Sequence, residues 1–291
     1  MTAHIRADLI RLRGRWDIWV VGFGVPVLAA IGFLQGYVAV PNHYGWDPSQ
    51  PIPDYVLTAI ATERATYAFP RSILTLMGNG VWLLIAAFFL TSTTIGLEFG
   101  WGTIRTSLLS SPDRRRMLAS RVIVIGTVGI VLLASFIVLG VVLPGIIAAT
   151  GNAPPASQAV MPIQIAGATT AVVVALGFVL ALAALLAIVT RNPAVPFLIG
   201  LVYFILEGMV VNLGVWMNIH LDAVLDLLPV ASVSALLRDS LDQTQYGIAT
   251  ADVTFGVVDR PLLLSVGVVV GWTLVFYLIA DSLLRRADIV E

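Results

Sequence analysis

Long apolar runs alternate with short polar links along the whole of this chain. The longest runs hold about 20 residues, the length that an α-helix needs to cross the hydrocarbon core of a bilayer. Glycine, proline and arginine in the links mark where helices end. The pattern predicts an all-α membrane protein with six transmembrane helices in a single domain, 1–291. The predicted spans are 17–39, 73–97, 112–148, 163–190, 194–217 and 261–283.

A short amphipathic helix is predicted ahead of the first span, over 1–16. Its apolar residues recur at steps of three and four, which places them on one face, while four arginines lie off that stripe. Such a helix lies in the membrane interface, with the stripe in the acyl boundary and the arginines near lipid phosphates. The run that follows is longer than the apolar core of a cleaved signal peptide, which favours an uncleaved first span. The stripe consists of Ile5, Leu9, Leu12 and Trp16.

Composition supports membrane embedding and excludes several function classes. The chain is 58% hydrophobic and 11% charged, whereas soluble domains carry about 25% charged residues. It has no Cys, which excludes disulfides and thiolate metal sites. None of its 16 basic residues is Lys, so it lacks the lysine of a phosphate-binding P-loop. A net charge of −1 predicts no nucleic-acid surface.

The arginines also predict an orientation. Twelve lie in the segments 1–16, 98–121, 191–193 and 284–291, and four lie in the other links. By the positive-inside rule both termini are then cytoplasmic, and the expected location is the plasma membrane, as a multi-pass protein. The links 41–72, 150–162 and 218–260 are external, and the first contains a short surface helix near 54–68. The last holds two apolar pieces around Pro229 that are too short to span, which predicts interfacial or re-entrant helices.

The link 98–111 between the second and third spans carries the most specific pattern. It belongs to the stretch IGLEFGWGTIRTSLLSSPDRRRMLASR at 95–121. Gly100 and Gly102 loosen the end of one span, about two helical turns follow, and Pro112 ends them because the residue before a proline leaves the α region. The residues alone are equally consistent with a short rigid helix that transmits force and with a basic loop that only fixes topology.

This stretch resembles the cytosolic loop of ABC-2 type transporter permeases, and the resemblance extends over most of the chain. It implies an interfacial elbow helix at 1–16 and a coupling helix in the link, which receives motion from a cytosolic ATP-binding subunit. It further implies a second permease subunit, identical or different, and export as the usual direction. ATP and Mg would be bound by the partner subunit and no cofactor by this chain. The positions that match the loop are Glu98, Gly102, Thr103, Arg105, Leu109, Pro112 and Arg116.

Glu207 is the one ionisable residue deep inside a predicted span. A charge at the bilayer centre costs about 2.5–3.5 kcal/mol on insertion scales, so its side chain must face protein or water. It is a candidate for the translocation path or for gating, with Asn212 and Asn79 as possible polar partners, and the alternative is a hydrogen-bonded acid that only packs helices. A proton- or ion-coupled carrier that uses Glu207 is the second functional hypothesis, and a non-transporting scaffold or sensor is the third. No catalytic or metal-binding motif is present in the sequence.

Overall fold

The computed structural model describes residues 2–44, 52–78, 80–100, 114–156, 160–216, 227–241 and 261–286. Across these ranges the chain is helical and forms no β-strand. We number the α-helices in chain order. They are α1 (Thr2–Arg13), α2 (Trp16–Ala39), α3 (Asp54–Arg64), α4 (Arg71–Gly78), α5 (Val81–Gly100), α6 (Arg114–Ala149), α7 (Pro162–Thr190), α8 (Val195–Trp216), α9 (Pro229–Leu241) and α10 (Leu262–Arg286).

Five of these helices, α2, α5, α6, α7 and α10, are long and apolar enough to cross a membrane. Their number and composition fit a membrane-embedded protein, which confirms the all-α class predicted from the sequence. The fifth predicted span coincides with α8. Its apolar part, Val195–Val211, is shorter than the five others, so the count of six spans stays a prediction.

The helix α7 occupies the centre of the bundle. Within its most apolar stretch of 18 residues, 67% is buried inside the protein, whereas 11% is buried in the corresponding stretches of α2 and α10. Its buried residues include many alanines, and small side chains let neighbouring helix backbones approach closely. The helices α5, α6, α8, α9 and α10 all pack against it. The apolar outer sides of α2 and α10 are left at the periphery.

The predicted span 73–97 is divided in the structure into two helices. The short helix α4 ends at Gly78, and α5 begins at Val81 after a turn in which the Gly80 N–H donates to the Met77 carbonyl. The helix α4 packs on α6, and a side chain at Gly140 would collide with the backbone of Ile73. The Ser72 hydroxyl donates to the Gly140 carbonyl at this contact. This tertiary contact, which hydropathy does not encode, supports α4 as an element separate from the span.

The described part of the segment between α2 and α4 packs on α2 through aromatic contacts. Tyr67 lies against Phe33 and Tyr37, with ring centroids 4.9 and 5.7 Å apart in edge-on arrangements. Burial, followed by the charge of Glu63, raises the pKa of the Tyr67 hydroxyl to about 12. The Tyr37 hydroxyl donates to the Asn152 carbonyl at 2.6 Å, which ties α2 to the link after α6.

Candidate functional site

A buried ionic cluster joins three helices at the end of the bundle where α5 ends and α6 begins. We call it the Arg121 cluster, and it consists of Asp8, Glu98, Ser120 and Arg121. The Arg121 Nε atom donates to Asp8 Oδ1 at 3.1 Å, and its Nη1 atom forms an ion pair with Glu98 Oε1. The Ser120 hydroxyl donates to Asp8 Oδ2 at 2.8 Å. One arginine of α6 therefore holds a carboxylate of α1 and a carboxylate of α5.

The burial of this cluster makes its pairing necessary. Asp8 is 7% exposed and Arg121 is 5% exposed. A charge removed from water is tolerated only with opposite charges and hydrogen bonds around it, and removal of one partner from such a pair is strongly destabilising. Arg11 adds a longer contact to Asp8, at 3.9 Å, from an exposed position. The cluster thus fixes how α1 sits against α5 and α6.

A second polar contact holds the junction of α1 and α2 to the same helix end. The Arg15 side chain forms an ion pair with Asp17 and donates from Nη1 to Thr94 Oγ1 at 2.9 Å. Thr94 lies one turn before Glu98 on α5, so both contacts reach the last two turns of that helix. Motion of the end of α5 would consequently move α1 and the start of α2 with it.

The turn between α7 and α8 also packs on the end of α5. Arg191 ends α7 in the left-handed region, with a φ of 51°. The Asn192 Oδ1 atom then accepts the N–H groups of Ala194 and Val195 at 2.8 and 3.2 Å, which caps the start of α8. The turn lies so close to Gly96 that a Cβ atom there would be 2.6 Å from the Pro193 Cα atom. Glycine at position 96 is therefore required by the packing.

The structure describes part of the predicted coupling site. Glu98 belongs to the Arg121 cluster, and Arg116 lies exposed at the start of α6. The other predicted coupling positions fall in 101–113, outside the described residues, and they are Gly102, Thr103, Arg105, Leu109 and Pro112. Asn79, a predicted polar partner of Glu207, is also outside the described residues.

Asp8 and Ser120 were not predicted from the sequence. Arg121 was interpreted as a basic residue that helps fix topology and that stands where the resembling permease loop often has Lys. The signal for Asp8 was present, since it is the one acidic residue of an arginine-rich helix. It also lies four positions before Leu12, and residues at that spacing share a helix face. Leu12 is 5% exposed, so this face points into the protein. The prediction that Leu12 belongs to a stripe facing the lipid is therefore wrong, because Leu12 packs inside the protein.

Glu207 forms a second buried polar site, at the start of α9. Its Oε1 atom accepts the backbone N–H groups of Val230 and Ala231 at 2.7 and 2.9 Å. These are among the first N–H groups of a helix, which have no partner within the helix itself. Pro229 occupies the first position of α9, where its missing N–H costs nothing. A carboxylate of α8 thus caps a helix that is separate in sequence, and we call this contact the Glu207 cap.

Other side chains hold the same helix start. The Trp272 Nε1 atom, from α10, donates to the Leu227 carbonyl at 2.9 Å. Tyr203, one turn before Glu207 on α8, lies close to the carboxylate. Positive partial charge at a helix N-terminus stabilises an anion there, so the cap compensates the cost of a buried acid. Asn212 lies in α8, and its side chain is outside what the structure describes.

No three acidic, histidine or cysteine residues among those described lie close enough together to hold a metal ion. No protein-family model matches the chain, and a comparison with curated proteins finds no significant match. The Arg121 cluster and the Glu207 cap, with the apolar helices that position them, are therefore the candidate functional features of the described chain.

Proposed function

We propose that this chain is the permease subunit of an ABC-2 type ATP-binding cassette transporter. In this proposal six spans, including α8, form one half of a translocation path in the plasma membrane, and both termini are cytoplasmic. A second permease subunit, identical or different, completes the path. A cytosolic subunit binds ATP and Mg and hydrolyses the nucleotide, and the usual direction is export. The apolar helices and the resemblance of 95–121 to the permease loop support the assignment.

The observation that carries the proposal is the ion pair between Glu98 and Arg121. These residues lie near the two ends of the stretch 95–121 that resembles the permease loop, and Arg121 also binds Asp8 of α1. A load applied to that segment by an ATPase would therefore act on α5, α6 and α1 together. Rigid transmission requires that the helix ends cannot slide independently, and a buried ionic contact resists such sliding because its charges would lose their partners.

The test uses the full chain reconstituted in lipid vesicles with a candidate ATP-binding subunit that copurifies with it. Glu98→Gln keeps an oxygen acceptor for Arg121, which also retains Asp8, so this variant should stay assembled, as should Arg105→Gln. Each should reduce the stimulation of ATP hydrolysis by about tenfold. Glu63→Gln is the matched control. It also removes a carboxylate that has a polar partner, here His43 at 2.8 Å, but it lies on the external side in the proposed topology. Unchanged stimulation in both loop variants would contradict the coupling role.

The burial of Glu207 supports a second candidate, a proton- or ion-coupled carrier. Glu207 is 5% exposed within an apolar helix, and intramembrane acids serve as proton relays in many transporters. A transport assay in vesicles that contain the reconstituted chain distinguishes the ATP-driven permease from the coupled carrier. Transport that runs on a pH gradient without ATP, and that Glu207→Gln abolishes, would favour the carrier. A scaffold or sensor would show neither ATP-driven nor gradient-driven transport.

A further inference from the structure

The helix α1 has two different faces. Asp8 and Leu12 point into the protein, where Asp8 is held by the Arg121 cluster. Steps of 100° per residue place Arg6, Ile10 and Arg13 on the opposite side and Leu9 at its edge, and all four are exposed. Leu9 is 43% and Ile10 is 66% exposed. The outward face consists of Arg6, Leu9, Ile10 and Arg13.

This outward face continues into the lipid-facing side of α2. Trp16 and Trp19 are 76% and 50% exposed, and the Trp19 Nε1 atom donates to the Arg13 carbonyl at 2.9 Å. Trp19 stacks on Phe23, with ring centroids 5.9 Å apart. Phe23 and Val27 beyond it are exposed on a helix that is apolar enough to span. Tryptophan is enriched at the headgroup level of membranes, which puts α1 at that level.

The charges on this face have no counterpart in the described part of the protein. Asp8 is engaged by Arg121, and Asp17 is engaged by Arg15. No acidic residue among those described lies within ion-pair distance of Arg6 or Arg13. Two cations separated by exposed Leu9 and Ile10 match a phospholipid with an anionic headgroup, whose phosphates meet the guanidinium groups while its acyl chains meet the apolar residues.

We infer that the outward face of α1, together with Trp16 and Trp19, is a binding surface for anionic phospholipids. Arg6 and Arg13 contact the headgroup phosphates. The inference requires only that α2 crosses the membrane, and it is independent of the proposed transport function. Because Asp8 fixes α1 to α5 and α6, the surface is presented in one orientation.

The test is native mass spectrometry of the full chain in detergent, titrated with phosphatidylglycerol or with phosphatidylcholine. Wild type should bind the anionic lipid more tightly than the zwitterionic one. Each basic residue near an anionic surface changes affinity by about fivefold, so Arg6→Gln combined with Arg13→Gln should weaken phosphatidylglycerol binding by about 25-fold and leave phosphatidylcholine binding unchanged. Lysine at both positions should restore the preference, since it keeps the charge. Arg191→Gln is the control, because Arg191 is exposed at the same end of the bundle but lies outside α1.

Three outcomes would overturn the inference. Equal affinity of wild type for the two lipids would remove the charge preference. An equal loss in Arg191→Gln and in the α1 variant would mean that the effect comes from overall charge and not from this surface. Full displacement of phosphatidylglycerol by an equal concentration of inorganic phosphate would assign the arginines to a free anion in place of a lipid.

Discussion

Replacement of Glu207 should loosen the start of α9, and the side chain that replaces it should decide by how much. Glu207→Ala removes the acceptor of the Val230 and Ala231 N–H groups, which lie in a buried environment. Glu207→Gln keeps an oxygen at the same reach and removes only the charge. The pair of variants therefore separates the hydrogen bonds of the Glu207 cap from its interaction with the helix dipole.

The expected magnitudes follow from the geometry of the cap. A buried donor left without a partner costs about 1–3 kcal/mol, and loss of a capping side chain costs about 0.5–2 kcal/mol. We expect Glu207→Ala to lower the free energy of opening of this helix start by about 2–4 kcal/mol. For Glu207→Gln we expect about 1 kcal/mol, since a charge at a helix terminus contributes about 0.3–1 kcal/mol, and more when it is partly buried.

Hydrogen exchange of the full chain in lipid nanodiscs, followed by mass spectrometry of peptides that cover 227–236, measures these differences. A change of 1.4 kcal/mol is tenfold in an equilibrium constant. Glu207→Ala should thus speed exchange at the start of α9 by about 30-fold or more, and Glu207→Gln by about five- to tenfold. Met209→Ala, on α8 like Glu207, is the control. Met209 is 54% exposed, so this substitution should leave exchange at the start of α9 unchanged. Equal protection in wild type and in Glu207→Ala would refute the cap as a stabilising contact.

Three further predictions concern the other end of the bundle and its orientation. Arg121→Leu removes the common partner of Asp8 and Glu98, so thermal unfolding in detergent should show a loss of about 3–5 kcal/mol. Gly96→Ala places a methyl group against the turn after α7 and should cost about 1–3 kcal/mol in the same assay. A cysteine at Ala153 should react with a membrane-impermeant thiol reagent in intact cells, while one at Arg191 should not, because the arginine asymmetry predicts a cytoplasmic position for residue 191.

The two stability predictions have matched controls. Arg11→Ala removes a cation that is 61% exposed and 3.9 Å from Asp8, so it should cost less than about 1 kcal/mol. Gly32→Ala adds its methyl group into open space and should stabilise α2 by about 0.5–1 kcal/mol. If the controls lost as much stability as Arg121→Leu and Gly96→Ala, the chain would be sensitive to substitution in general, and the specific contacts would not explain the losses. Labelling at 191 and protection at 153 would invert the proposed topology.

The helices were largely predictable from the sequence because hydropathy is a local property. The predicted bounds 17–39, 163–190 and 261–283 differ by at most three residues from those of α2, α7 and α10. The class of membrane-embedded helical protein followed from the same signal. The division of 73–97 into α4 and α5 was missed, since it accompanies the contact between Ser72 and Gly140, and hydropathy contains no information about that contact.

The candidate sites were predictable only in part. Glu207 stood out because an acid inside an apolar run requires a partner, but its partners are backbone N–H groups of α9, and backbone donors leave no trace in residue identity. Asn79 and the positions 101–113 stay predictions, since they lie outside the described residues. Glu98 was predicted through the resemblance of its segment to a permease loop, and its ion pair with Arg121 was not.

The sequence by itself determined where this chain is apolar for long enough to form membrane-crossing helices, because each such run satisfies its own backbone hydrogen bonds without distant partners. Tertiary structure decided which polar residues meet. Asp8 and Arg121 are 113 positions apart, and Glu207 lies 23 positions before the first N–H group that it caps. Such pairs form because a buried charge must find an opposite charge or a donor wherever packing brings one within reach, and packing depends on all the helices at once.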